Sequence, residues 1–132
     1  MSSDKSAKEL GVEDDVIFTG MRTDVNRLIQ AMDVFIFPSL YEGLPVTLVE
    51  VQTSGLPCVI SDKIPSESII TKELVTVKSL GDSPDEWADQ IIGRLGEKRV
   101  SRVDEITTNG YDISKTSKEL MDFYLHIGIN YE

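Results

Sequence analysis

Phe37-Pro38-Ser39-Leu40-Tyr41-Glu42-Gly43-Leu44-Pro45-Val46-Thr47-Leu48-Val49-Glu50 decides how the chain is read. The stretch predicts a buried strand ending near Phe37, a loop punctuated by Gly43 and Pro45, and a helix starting near Pro45 with one carboxylate on either side of that start. A strand-to-helix turn leaves backbone N–H groups without partners at the helix N-terminus, where an anion can sit. Glu42 and Glu50 carry the wrong charge to hold a phosphate. They suit hydroxyl groups, from which a carboxylate accepts strongly. Amides for an anion and carboxylates for hydroxyls together point to a nucleotide-sugar ligand.

Strands and helices alternate outward from this segment. Val34 to Phe37 is a continuous apolar run, the pattern of a parallel strand covered on both faces. Upstream, Val16-Ile17-Phe18 predicts a short buried strand. Thr23 or Asp24 then caps a helix whose Val25, Leu28, Ile29 and Met32 form an apolar stripe. Downstream, Gly55 stops the helix that begins near Pro45, and Cys58 to Ile60 and Leu74 to Val77 read as further strands. Ser83 or Pro84 opens a helix with Trp87, Ile91 and Leu95 on one side. Asp112 or Ser114 caps a last helix over residues 113–127, with Leu120, Phe123, Tyr124 and Ile127 inward. At the other end, residues 1–5 read as a frayed end or expression remnant, and residues 7–10 as the end of a helix capped by Gly11.

This alternation predicts an α/β fold, a Rossmann-like parallel sheet with helices on both faces and right-handed crossovers, in one domain over residues 1–132. Ligands of such sheets lie at the carboxyl ends of the strands, so the loops at 19–24, 39–47 and 61–67 should share one rim.

Composition narrows the function. The formal charge of −10, from 13 basic and 23 acidic residues, excludes the basic face that nucleic acid or an anionic membrane surface would require. Cys58, the single cysteine, can form no internal disulfide and reads as a small core residue in a reducing, cytoplasmic setting. Neither a charged-plus-apolar leader nor an apolar run of membrane length is present, which predicts no direct membrane insertion. His126, the one histidine, falls far from the rim, and no metal-ligand cluster stands out, so no metal or cofactor is expected.

The spacing Glu42 to Glu50, preceded by Pro38-Ser39 and followed by Gly55-Leu56-Pro57, resembles the E-x7-E segment of the retaining GT-B glycosyltransferases. More narrowly it resembles the group 1, family 4-like enzymes, many of which assemble bacterial surface polysaccharides. Val16-Ile17-Phe18-Thr19-Gly20 is similar to that family's strand ending in F-x-G, and Ala31 to Ser39 and Gly55 to Ser61 to its next two strands. The resemblance implies the C-terminal, donor-binding half of a GT-B fold, lacking its first strands. It makes Glu50 the ligand of the donor's ribose hydroxyls. It sets Glu42 against the transferred sugar as the catalytic carboxylate, the alternative being a loop residue that only caps the helix.

Gly43, Leu44, Val46 and Thr47 would then offer amides to the diphosphate, Thr47 a hydroxyl as well, while Pro45 has none to give. Gly20, Met21 and Arg22 would lie where the family contacts the base. Tyr41 is expected to pack under its loop. The chain departs from the family in lacking the Arg and Lys pair that neutralises the leaving diphosphate; Lys5 and Lys8 lie in the wrong context. The isolated chain is therefore expected to be inactive.

Two functions from different classes follow. The first is the donor-binding domain of a hexosyl-transferring enzyme of polysaccharide or glycolipid synthesis, acting at the inner membrane face with its acceptor domain on the same polypeptide or a partner subunit. The second is a non-catalytic assembly module that pairs with a separate glycosyltransferase subunit. A sheet edge left bare by missing strands predicts self-association.

Overall fold

The computed structural model describes residues 3–127, and the expectation for residues 1–2 lies outside the described residues. Its centre is a three-stranded parallel sheet, β1 (Phe35–Phe37), β2 (Cys58–Ser61) and β3 (Val75–Lys78), in that spatial order. The register pairs Phe35 with Cys58 and Cys58 with Val75, so Phe35, Phe37, Cys58, Ile60, Val75 and Val77 share one face. Ile36, Val59, Ser61, Thr76 and Lys78 share the other.

Helices α2 (Val25–Ala31) and α3 (Val46–Thr53) cover the first face. Ile29, Leu48, Val51, Leu56, Cys58, Ile60 and Ile64 form one buried cluster there, with Phe35, Phe37 and Val75 against it. Each fully buried Leu or Ile of this kind contributes about 1.5–3 kcal/mol. Helix α4 (Pro84–Gly93) covers the second face, and its C-capping Arg94 donates to Thr76 Oγ1 at 2.9 Å. A doubly covered parallel sheet is what the alternation predicts.

Local chemistry explains the boundaries. Ser83 caps α4 through a capping box with Glu86, with Pro84 in the first turn. α3 ends in a paired closure, the Gly55 amide on the Gln52 carbonyl at 2.9 Å and the Leu56 amide on that of Val51 at 3.2 Å. Gly55 takes φ +70°, and a Cβ there would fall 2.1 Å from the Val100 carbonyl oxygen. The same closure ends α1 (Ser3–Glu9) at Gly11, so residues 3–5 are helical, not frayed. Beyond α4 the chain runs through α5 (Val103–Ile106) and a wide π-type turn, Thr107–Tyr111, into α6 (Ile113–Ile127), capped by the Asp112 carboxylate on the Ser114 amide at 2.9 Å.

Several expectations are corrected. Val16-Ile17-Phe18 forms no strand, and Ile17 is 87% exposed. A strand needs a ladder, and β1 pairs only with β2 among the described residues, taking no partner on its outer edge there. β1 is not covered on both faces: α4 leaves Ile36 under an open apolar groove bounded by Pro38, Leu80, Trp87 and Ile91. In the α2 stripe only Ile29 is buried, while Val25 and Met32 stay exposed. Leu95 falls past the end of α4 and is exposed. On α6 the stripe is present, but Leu120, Phe123, Tyr124 and Ile127 stay exposed, with Phe123 and Tyr124 meeting edge to face.

α3 is held from below by Gln52, a side chain with no exposure. Its Nε2 donates to the carbonyls of Leu48 and Ser68 at 3.1 and 2.8 Å, and its Oε1 accepts from the amides of Ile70 and Thr71 at 2.8 and 2.9 Å. Gln52→Leu keeps the volume but strands three buried backbone groups, each costing about 1–3 kcal/mol. A urea midpoint unchanged by that substitution would contradict this account. Gly55→Ala should lose about 3 kcal/mol in the same assay, from left-handed backbone strain and the Val100 clash together.

Candidate functional site

The carboxyl ends of the strands form a rim of three loops. Ser61, at the end of β2, donates through Oγ to the carbonyl of Ser39, which follows β1, and so ties two of them together. The Lys63 amide returns to Ser61 Oγ at 3.3 Å, and the Asp62 amide donates to the Lys78 carbonyl at 2.8 Å, linking the third. Ser39 also donates to Glu42 Oε1 at 2.8 Å. That bond fixes the half-buried Glu42 carboxylate on the loop just before α3.

α3 begins at Val46, with Pro45 as its cap residue and no side chain capping it. The Pro45 carbonyl takes the Leu48 and Val49 amides. The amides of Gly43, Leu44, Val46 and Thr47 donate to no acceptor among the described residues. Leu44, Val46 and Thr47 are exposed as well. This is the unpartnered N-terminus that the sequence predicts. Gly43 does not take a left-handed conformation, and the space where its Cβ would lie is open; close approach from outside, not backbone strain, is what glycine permits there.

Glu50, exposed in the second turn of α3, borders two clefts. One, of about 380 Å³, lies between α2 and α3 and is lined chiefly by Asn26, Gln30, Glu50, Thr53, Ser54 and Ser101. The other, of about 430 Å³, lies between α3 and residues 103–113; Leu44, Val46, Val49, Ile106 and Tyr111 make it mainly apolar. The structure thus places Glu42, Gly43 and Leu44 on the loop before α3, Val46 and Thr47 in its first turn and Glu50 in its second.

The loop at 19–24, expected to share this rim, follows no strand, because Val16-Ile17-Phe18 forms none. Gly20 takes φ +63° and Met21 is fully exposed. Arg22 is closed onto Asp24 in a two-pronged pair at 2.7 and 2.8 Å. That pair occupies the Asp24 carboxylate, which is why Asp24 stands at the cap position of α2 without capping it. Tyr41 does not pack under its loop, being 84% exposed. Asn26, Gln30 and Ser101 escaped the sequence reading. Asn26 lies one turn after Arg22 and was legible as a polar position of α2, whereas Ser101 sits in an irregular segment with no period.

Rim cations are neutralised locally. Lys78 pairs with Asp82, whose carboxylate also accepts from the Ser79 amide at 3.2 Å. The Lys78 hydrogen bond holds the Asp82 carboxyl below its ordinary value, and Asp82 in turn raises the Lys78 ammonium. Ser83 holds Glu86 below its ordinary value through backbone and hydroxyl bonds, and Arg22 does the same to Asp24. Cys58, in the core beneath, is pushed up to about 12 by burial, with Arg94 opposing weakly. The thiol is a core group, as its strand context implies. Among the described residues no three His, Cys, Asp or Glu side chains gather as metal ligands.

With this geometry in place, the chain can be compared with known proteins. Residues 2–97 match the family described as "Glycosyl transferases group 1". The chain belongs to that family. EpsF of Bacillus subtilis is 37% identical over 92% of this chain and 32% of its own length. The UDP-Gal:alpha-D-GlcNAc-diphosphoundecaprenol alpha-1,3-galactosyltransferase of Escherichia coli is 24% identical over 92% of this chain and 33% of its own. The chain spans about a third of the length of these curated relatives. WaaG, a glycosyltransferase involved in lipopolysaccharide biosynthesis, superposes with a TM-score of 0.58 at 25% identity, over 79% of this chain and 25% of its own. The layered parallel sheet is therefore that of a GT-B glycosyltransferase.

The lowered carboxyls make the fold sensitive to acid. Each stays charged at a pH where the unfolded chain would bind a proton, so its contribution is present above the ordinary values of 3.8 for Asp and 4.5 for Glu and is lost as pH falls through the lower folded value. Lys78 acts in reverse, contributing below 10.5 and losing that contribution as pH rises through its raised value. Asp82→Asn should flatten both limbs of a plot of urea midpoint against pH, and a plot that keeps the wild-type shape would exclude the pair as their source.

Proposed function

We propose that this chain is the nucleotide-sugar donor-binding domain of a retaining glycosyltransferase that transfers a hexosyl unit in bacterial polysaccharide or glycolipid synthesis. One observation carries the reading: the start of α3 combines unpartnered amides with a carboxylate on either side, in a chain that belongs to a glycosyltransferase family. The amides of Gly43, Leu44, Val46 and Thr47 receive the diphosphate. Glu50 accepts from the ribose hydroxyls, and Gly20, Met21 and Arg22 lie toward the base. Glu42, steadied by Ser39, faces the sugar and stabilises positive charge growing at its anomeric carbon. The bond from that carbon to the diphosphate breaks, the acceptor hydroxyl bonds to the same face, and its proton passes to the departing phosphate.

The reading calls for no resident metal or cofactor. The names of relatives fit it: the Escherichia coli enzyme is named for a UDP-sugar and a diphosphoundecaprenol acceptor, and a Campylobacter jejuni relative is likewise named for a diphospho-undecaprenol acceptor. An acceptor domain, on the same polypeptide or a partner subunit, completes the active site at the cytoplasmic face of a membrane. No described helix is long and apolar enough to cross a membrane, so that domain or partner would provide any attachment.

A second reading, an assembly module pairing with a separate subunit, draws support from the exposed Ile17 and Phe18 and the outward stripe of α6. The same surfaces predict concentration-dependent self-association; a sedimenting monomer at every concentration would remove that support.

Titration with UDP, GDP and ADP, followed by backbone amide shifts, separates the two readings. Saturable shifts at residues 43–50 with one nucleotide are expected, and Glu50→Gln should weaken that binding about tenfold, the loss of one charge-assisted bond. Glu42→Gln should keep nucleotide affinity and abolish sugar transfer once the acceptor domain is supplied. Absence of shifts with all three nucleotides would contradict the donor-site reading, as would sugar transfer that survives Glu42→Gln.

A further inference from the structure

Residues 99–102 strap the carboxyl ends of α2 and α3 together, and Arg99 is the tie. One guanidinium nitrogen donates to the carbonyls of Ile29, Gln30 and Met32 at 3.0, 3.0 and 3.3 Å, which close α2. The other donates to the carbonyl and Oγ of Ser54 at 3.4 and 2.8 Å, which close α3. The Arg102 amide adds a bond to the Thr53 carbonyl at 3.0 Å, and the Val100 backbone fills the space beside Gly55. Helix C-termini leave carbonyls without intrahelical partners. A planar fork with five donors can serve two such ends at once, whereas a lysine ammonium reaches out from a single point.

The geometry of the strap bears on the candidate site. The cleft beside it takes Asn26 and Gln30 from α2, Glu50 and Thr53 from α3, and Ser101 from the strap itself. Neither helix reaches across this cleft to the other with a side-chain hydrogen bond among the described residues. The separation of Asn26 from Glu50 is therefore set by the packing of Ile29 with Leu48 and Val51 beneath the cleft and by Arg99, the polar tie where the helix ends meet.

We propose that Arg99 is a positioning residue for the donor site, tying α2 to α3 so that Asn26 and Glu50 together receive one array of ligand hydroxyls. Arg99 contacts no ligand and acts through the placement of α2. The proposal rests on the reading of α3 as a nucleoside diphosphate site and adds α2 to it.

The test follows UDP, GDP and ADP binding by NMR, with affinities taken from folded molecules and unfolding midpoints measured beside them. In the wild type, saturation should shift both the amides at residues 43–50 and the Asn26 side-chain amide. Arg99→Lys should weaken binding about tenfold, and Asn26→Ala should remove most of that difference, because the two changes act on one contact. A merely structural arginine would lower the midpoint while leaving the affinity of folded molecules unchanged, or would give additive effects, and either result overturns the proposal. Should Arg99→Lys fail to fold, the wild-type titration still decides: an unmoved Asn26 side chain at saturation overturns the proposal while leaving the donor site standing. No binding at all by the wild type overturns both.

Discussion

The carboxamide of Gln52 is the interaction on which the rest of the arrangement depends. It is buried, saturated in all four of its directions, and set in the last turn of α3, where it joins the helix to backbone 16 to 19 residues downstream. A neutral amide can do this because it offers two donors and two acceptor sites in one plane. A longer apolar side chain could fill the space but could not satisfy the turn at residues 68–71, which has no regular ladder of its own. With α3 so fixed against the sheet, its start must emerge beside the ends of β1 and β2. The two serines bonded across that gap, Ser39 and Ser61, continue the same logic at the rim.

How an acidic chain could take a diphosphate becomes intelligible at this level. Side-chain cations near the rim are already committed, Lys78 to Asp82 and Arg22 to Asp24. What remains for an anion is the peptide backbone, whose partial charges cost the fold nothing to present and cannot be titrated away. Carboxylates at Glu42 and Glu50 then flank the anion site without filling it, consistent with partners that are hydroxyls.

What the sequence made legible follows from the range of the interactions involved. The strands at Phe35–Phe37, Cys58–Ser61 and Val75–Lys78, the helix start at Ser83 or Pro84, the stop at Gly55 and the turn with unpartnered amides before α3 are all encoded within a few residues, and all were readable. Burial was not. Val16-Ile17-Phe18 and the stripe of α6 carry the right apolar period, yet a period states only that a face wants covering and not that anything covers it. Gln52 and Arg99 were invisible for the opposite reason. Each is a polar residue in an unremarkable local context, and its partners lie 16 to 70 positions away. The candidate carboxylates and amides were identified from spacing and resemblance, while the cleft that joins α2 to them depends on the strap and could only be seen in three dimensions.

The three-stranded order has one more consequence. Among the described residues β2 is the only strand with a neighbour on each side, and all four of its residues are buried. β1 and β3 each turn a row of peptide groups outward. In deuterated water the molecule should therefore age from its flanks inward, the outward amides of β1 and β3 exchanging through local breathing while those of β2 wait for global opening. The central strand is thus a clock for the whole domain, and the flanking strands record only what docks against them.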